Sequence, residues 1–291
     1  AKRKSGVKNP EQTTPRYTDS WQFKHQQECD WIDVTPLWLD SQGLENIDMI
    51  HFMGGEPMMV PEHFELLKNL ILDPNTDTTK ITIRYNTNGT MYPTPEQLAI
   101  LKQFRRVFWL LSIDDIGRRF EYQRYGDRWA NVETNVTRFL EEFGKKEVSL
   151  DPTVSMFNAF YLDEYVEWAE NIGIDQIEHL GKTYHMVKTG SNGNKDVRNL
   201  PLLSRAVLKD RLLSSRYSHI PLLGNTVKWL DMPKDEKIRE QELRDTLMYT
   251  QIVDQQRKQD IGRDHARMVS IEPLPWDTRF AIPTNSTVKT K

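Results

Sequence analysis

Between residues 48 and 180 short apolar runs alternate with amphipathic segments at intervals of about 25–35 residues, a rhythm that fits successive right-handed βαβ units and few other folds. Residues 49–53 (MIHFM) read as a buried strand stopped by Gly54-Gly55. Residues 61–72 then carry Phe64, Leu67, Leu70 and Ile71 at helical spacing, with Pro61 suited to the first turn. Residues 80–87 (KITIRYNT) alternate with period two and end at the turn pair Asn88-Gly89. Thr94 and Pro95 open a helix through Phe104, as N-cap and first helical residue. Residues 107–113 (VFWLLSI) are continuously apolar, the pattern of a strand covered on both faces of a parallel sheet. A helix is expected over 129–143 with Val132, Val136, Phe139, Leu140 and Phe143 on one face. A strand over 148–155 interrupted by Pro152, a helix over 160–172 closed by Gly173, and a strand over 174–180 complete the series.

The expected class is therefore α/β, either a doubly wound sheet or a full or partial barrel. Past residue 180 the rhythm stops. Residues 190–193 (GSNG) form a loop, 200–215 and 234–259 read as helices, and the Pro- and Thr-rich tail 271–291 reads as extended. The 29 aromatic residues (8 Trp, 10 Tyr, 11 Phe) supply core material that disordered chains lack.

Charge and cysteine content narrow the function. Lys and Arg number 39 against 42 Asp and Glu, a net charge of −3, so no chain-wide field exists to hold a nucleic acid. The basic residues among 1–20 read as a solvated arm. No apolar run suffices to span a bilayer. The single cysteine, Cys29, excludes an internal disulfide and any all-cysteine metal site within the chain, and points to a reducing, cytoplasmic setting. The seven histidines are scattered without ligand spacing; His25 and Cys29, four apart, would make at most half a metal site. Neither His-Glu-x-x-His nor Gly-x-Ser-x-Gly occurs, nor does a Walker loop, so metalloprotease, serine hydrolase and P-loop chemistry find no support.

In parallel α/β folds ligands sit at the carboxyl ends of the strands, and unusual residues recur there. Gly54-Gly55-Glu56-Pro57 follows the first strand; two residues without Cβ expose main-chain groups to a ligand, and such a turn suits a cationic amine. Asn88 ends the second strand, and Ser112 and Asp114 crown the third. Arg124 comes next as a candidate partner for a ligand carboxylate, and Asn158 lies past the fourth. Singly, each has a plainer explanation: a tight turn, an N-cap, a surface arginine, a loop asparagine. Jointly they repeat at the βα period, since Glu56 to Asn88 is 32 residues and Asn88 to Ser112 is 24, which would bring them to one rim.

Over residues 45–180 these motifs resemble the radical S-adenosylmethionine superfamily, in its twitch or SPASM-like peptide-modifying branch. Gly54-Gly55-Glu56-Pro57 is similar to the family's Gly-Gly-Glu-Pro signature, and residues 86–90 (NTNGT) to its Thr-Asn-Gly strand ending. Ser112-Ile113-Asp114-Asp115 resembles its Ser-hydrophobic-Asp segment; Glu121-Tyr122-Gln123-Arg124 with Trp129, Asn135 and Val136 resembles the stretch after it. Val154-Ser155 with Asn158 resembles the next strand ending. The resemblance implies a partial TIM-like (β/α)6 barrel over 1–185, with 186–291 as a helical extension. It also implies main-chain atoms of Gly54, Gly55, Glu56 and Pro57 at the methionyl amine, Ser112 and Asp114 near the ribose or methionyl part, and Arg124 on the carboxylate. The chemistry implied is reductive cleavage of S-adenosylmethionine to a 5′-deoxyadenosyl radical by a [4Fe-4S] cluster, with a reductant protein and a peptide or protein substrate as partners.

The family holds its cluster with Cys-x3-Cys-x2-Cys, and this sequence has no such motif. The expectation is that the first strand and its three cysteines lie upstream of Ala1, leaving this chain inactive alone. The alternative is a non-catalytic barrel that binds a ligand or protein partner, with charged residues 234–259 as its interaction surface.

Overall fold

The computed structural model describes residues 47–174 and 195–271, all within the compact unit Asn46–Lys291. The basic arm, His25, Cys29, the strand expected over 174–180 beyond Ile174, the 190–193 loop and the tail from residue 272 lie outside the described residues.

In chain order the elements are β1 (Met49–Phe52), α1 (Glu62–Leu72), β2 (Thr82–Thr87), α2 (Pro95–Leu101), β3 (Arg106–Leu111), α3 (Gly117–Gln123), α4 (Trp129–Phe143), β4 (Val148–Leu150) and α5 (Leu162–Asn171). Helices α6 (Leu202–Ser214), α7 (Pro221–Leu230), α8 (Glu236–Arg257), α9 (Ile261–Asp264) and α10 (Ala266–Val269) complete the order. The four strands form one parallel sheet in the order β1-β2-β3-β4, so among the described strands the order never reverses. The fold is α/β.

Local chemistry sets the boundaries. Thr94 and Gln97 close a reciprocal capping box at the start of α2, with Pro95 as the first helical residue. That helix stops at Leu101 rather than Phe104 because the Gln103 and Phe104 N–H groups bond three residues back, to Ile100 and Leu101. β2 begins at Thr82, two residues later than the alternation suggests, because Asp77 caps a one-turn helix over Thr78–Lys80. β4 is short because its ladder runs out of donors. The Asp151 N–H still bonds the Leu111 carbonyl, but Pro152 has no N–H and the Thr153 N–H turns to a side chain. Helix α7 has no counterpart in the sequence reading; Gly224 in its interior dilutes the pattern, although Pro221 opens it.

The two faces of the sheet differ. On one, Phe52, Tyr85 and Trp109 occupy paired positions on β1, β2 and β3 and form an aromatic ladder, with ring centroids 5.1 and 4.6 Å apart. His63 of α1 lies 4.8 Å from Phe52, and Phe139 of α4 lies 4.5 Å from Trp109, so helices from two crossovers cover the same face. The opposite face carries His51, Arg84, Asn86, Phe108 and Ser112, none of them fully buried, together with the buried pair Leu110 and Ser149 towards β4. There His51 Nε2 meets Asn86 Oδ1 across β1 and β2 at 2.6 Å, and the Arg84 guanidinium lies 5.4 Å from the Phe108 ring.

Buried polar contacts join the C-terminal helices to one another and to this framework. Asp196 accepts from Nε and Nη2 of the Arg198 guanidinium and from the Trp229 indole at 3.0 Å, and is also paired with Lys234. His265, fully enclosed, donates from Nδ1 to the Phe157 carbonyl at 2.9 Å.

Burial at two of these positions sets measurable expectations for stability. Tyr85 is fully buried with no partner for its hydroxyl among the described residues, so Tyr85→Phe is expected to raise the urea-unfolding free energy by about 1 kcal/mol. For His265, burial drives the imidazole pKa from 6.5 down to about 4, against the opposing Phe157 hydrogen bond. The unfolded chain therefore takes up this proton first, and the residue's contribution is lost as pH falls from about 6.5 towards about 4. Urea titrations across that window are expected to show a steeper acid loss for the wild type than for His265→Asn, by at most about 1.4 kcal/mol per pH unit.

Candidate functional site

The carboxyl ends of the four strands carry groups that the strand ladders do not satisfy, and side chains from the connecting segments take them up. After β1 the chain turns through Gly54, whose φ of +109° suits glycine, into Glu56 and Pro57. The Glu56 carboxylate is buried and fully engaged. Oε1 accepts from the Met58 N–H at 3.1 Å and the Thr87 hydroxyl at 2.7 Å, while Oε2 accepts from the Asn88 N–H at 2.8 Å. One carboxylate thus fastens the turn after β1 to the end of β2.

From there the hydrogen bonds continue along the rim without a break. The Ser112 N–H donates to the Thr87 carbonyl at 2.7 Å. The Ser112 carbonyl in turn accepts from Arg124 Nη2 at 3.2 Å, and the same Nη2 donates to Asp114 Oδ2 at 2.8 Å. Asp114 Oδ1 accepts from the Thr153 N–H at 2.8 Å, tying in the segment after β4. Asn158 closes the far end: its Nδ2 donates to the Asp114 and Thr153 carbonyls at 2.7 and 2.8 Å, and its Oδ1 accepts from the Ser155 N–H at 2.7 Å. Glu56, Asn88, Ser112, Asp114, Arg124 and Asn158 therefore belong to one connected network, and Gly54, Gly55 and Pro57 form the turn that leads into it.

Within that network the residues divide into two kinds. Glu56, Asp114 and Asn158 hold the rim together: every oxygen of the two carboxylates, and both ends of the amide, already have protein partners. Pro57 is buried and opens a one-turn helix. The others keep capacity. Arg124, with a side chain one-third exposed, makes both of its bonds through Nη2, leaving Nε and Nη1 without an acceptor among the described residues. The Ser112 hydroxyl and the Asn88 Nδ2 are likewise unengaged there, although Asn88 Oδ1 accepts from the Thr90 N–H and hydroxyl. Gly55 is the most informative. It lies outside the left-handed region, and a Cβ built on it meets nothing within 4 Å, so neither backbone nor packing calls for glycine.

Several rim residues were not among the candidate site residues, although Thr87 and Asn135 lie within the motifs that carry the resemblance. Thr87 links Glu56 to the Gly89 N–H; Asn135 on α4 donates to the Gly89 and Thr90 carbonyls at 3.0 and 3.1 Å; Tyr165 on α5 donates to the Ile113 carbonyl at 2.8 Å. A buried Asn on the apolar stripe of an amphipathic helix is the one of these that periodicity exposes. Asp115, beside Asp114, faces the other way. It is 1% exposed and paired with Arg119 Nε at 2.9 Å, yet burial outweighs that partner and lifts its pKa to about 7. Its raised pKa stabilises the fold at low pH, and that contribution is lost as pH rises towards 7, opposite in sense to His265.

No family model matches this chain, and no curated protein matches it. Among the described residues no three His, Cys, Asp or Glu side chains are grouped to hold a metal ion, and no helix is long and apolar enough to cross a membrane.

Because Glu56 accepts at both oxygens from three donors, an amide in its place sets an N–H₂ against an N–H or hydroxyl. Glu56→Gln is expected to cost about 1–3 kcal/mol of stability in urea unfolding and to speed amide exchange at Asn88.

Proposed function

We propose that this chain is the S-adenosylmethionine-binding part of a radical S-adenosylmethionine enzyme of the twitch or SPASM-like branch, acting on a peptide or protein side chain. The observation that carries the reading is the set of unengaged groups on a rim that is otherwise hydrogen-bonded. Main-chain atoms at Gly54 and Gly55 face the methionyl amine, Arg124 Nε and Nη1 the carboxylate, and Ser112 and Asn88 the polar atoms between. A zwitterionic amino acid needs acceptors at one point and a forked donor at another, and these groups supply both. The engaged carboxylates and Asn158 keep them in register. A partial (β/α)6 barrel is the fold that goes with this reading. It is supported by strands in sequence order and by α1 and α4 covering one face, which leaves the His51 and Asn86 face towards the barrel interior. Residues 186–291 are then its helical extension.

The residues present do not fit a [4Fe-4S] cluster. Cys29 is the only cysteine of the 291 residues, and one thiolate cannot replace three. No radical step is therefore assigned to this chain's own side chains, and a reductant protein would act only where a cluster is supplied. The cysteine count also favours a second reading, in which the same rim binds its ligand or a protein partner without redox chemistry.

Calorimetric titration with S-adenosylmethionine tests the binding function common to both readings of a ligand-holding rim. Saturable binding is expected, weakened about 10- to 100-fold by Arg124→Met, the scale of a lost charged hydrogen-bond pair. Gly55→Ala is expected to leave urea unfolding unchanged while weakening binding, since an added methyl meets only the ligand. Absence of saturable binding by the wild type would overturn the proposal.

A further inference from the structure

Helix α3, which carries Arg124 as its C-terminal cap, is seven residues long and has no side-chain N-cap bond. A helix of two turns does not hold its position by itself. It is held by α4, where the Glu121 carboxylate accepts from the Trp129 N–H at 3.0 Å and Phe120 packs 5.4 Å from Trp129, by the Arg119 pair with Glu164 at 2.9 Å, and by the far end of the chain. Helix α8 ends at Lys258, in the left-handed conformation with φ of +55°, and the turn sends Gln259 against α3, where its Nε2 donates to the Glu121 carbonyl at 3.2 Å. Arg257 lies over the Tyr125 ring at 4.7 Å, and Asp264 pairs with Arg118 at 3.4 Å. Between them His265 packs edge-on against Tyr122, with ring centroids 4.8 Å apart.

His265 also grips the second support of the rim. Its Nδ1–H donates to the carbonyl of Phe157, the residue before Asn158, and its ring lies 5.7 Å from the Phe157 ring and 6.1 Å from that of Tyr161. One enclosed imidazole therefore touches α3 two residues before Arg124 and the turn one residue before Asn158. Both of those residues bond to Asp114, Arg124 at the carboxylate and Asn158 at the main-chain carbonyl.

We propose that His265 is a positioning residue: by joining Tyr122 to the Phe157 carbonyl, it sets the Arg124 guanidinium at the distance from Gly54 and Gly55 that a bound amino-acid head group requires. The inference rests on the S-adenosylmethionine reading of the rim, and it makes the C-terminal helices a part of ligand recognition. His265 touches no ligand; it acts through α3.

The test compares two ligands on the full 291-residue chain: S-adenosylmethionine, which has the carboxylate, and 5′-methylthioadenosine, which lacks it. His265→Ala is expected to weaken the first about tenfold and leave the second unchanged, because only the first uses Arg124. His265→Asn, whose amide nitrogen can still reach the Phe157 carbonyl but which has no ring against Tyr122, is expected to restore only part of the loss. Gln259→Ala, a change that leaves the buried cluster intact, is expected to act in the same direction but less, and it serves if His265→Ala fails to fold. Equal weakening of both ligands, or of neither, overturns the inference. Hydrogen exchange over residues 118–124 reads the positioning without any ligand. It is expected to speed up in the Ala variants and recover in part in His265→Asn, and unchanged exchange overturns the inference even where wild-type titration has already removed the S-adenosylmethionine reading.

Discussion

Where a parallel sheet passes into its connecting segments the main-chain N–H groups lose the strand ladder, and buried donors of this kind must find acceptors or cost the fold dearly. Here two carboxylates meet that demand. Glu56 takes the Met58 and Asn88 N–H groups together with the Thr87 hydroxyl, and Asp114 takes the Thr153 N–H together with Arg124. Each spans segments far apart in sequence, so each fixes the spacing of neighbouring strand ends as well as satisfying their donors. The consequence for function is indirect but strong. Side chains that look most like ligand groups are the scaffold, and the atoms left for a ligand belong to less conspicuous residues: two glycines, a serine hydroxyl, an asparagine amide and one edge of a guanidinium.

The sheet's asymmetry gives that rim a rigid base. The ladder of Phe52, Tyr85 and Trp109 runs across three strands on one face and is covered by α1 and α4, so strand positions are fixed by interlocking rings rather than by the short ladders alone. Four-residue and three-residue strands such as β1 and β4 contribute few hydrogen bonds of their own. The opposite face, with His51 bonded to Asn86 and Arg84 beside Phe108, stays partly open. An amphipathic sheet of this kind separates the two tasks of a site: one face supplies stability, and the other, with the rim, supplies polar groups.

Much of this was legible in the sequence because it rests on periodicity and on Gly, Pro and Asn at breaks. The four strands and the helices α1, α2 and α4 lie where apolar spacing puts them, and α4 spans 129–143 as expected. The ends of β4 and α2 were overestimated, since an apolar run says nothing of where its N–H groups bond once the ladder stops. The rim residues were legible as a recurrence at the βα period. What they do was not: nothing in the letters Glu56 and Asn158 distinguishes a carboxylate or amide turned outward from one turned into its own backbone. The roles of Thr87 and Asn135, both within the quoted motifs, and of His265 escaped for the same reason, because each acts through partners 31, 46 and 108 residues away.

On the proposed reading, distance along the chain also explains how the C-terminal helices bear on a rim they do not line. Arg124 sits at the end of a two-turn helix, and its two bonds to Ser112 and Asp114 pass through a single nitrogen, which lets the guanidinium pivot about that atom. A forked donor recognises a carboxylate only when both of its remaining nitrogens are aimed, so a pivot must be restrained from behind. The restraint is the cluster of Tyr122, Phe157 and Tyr161 around His265, where burial keeps the imidazole neutral and its one N–H committed to Phe157. A protonated imidazole would set a second N–H against aromatic walls that offer it no acceptor among the described residues. On the proposed reading the geometry of the rim leans on a histidine that burial keeps uncharged at neutral pH, and the aromatic enclosure that keeps it so is part of the packing that holds α3.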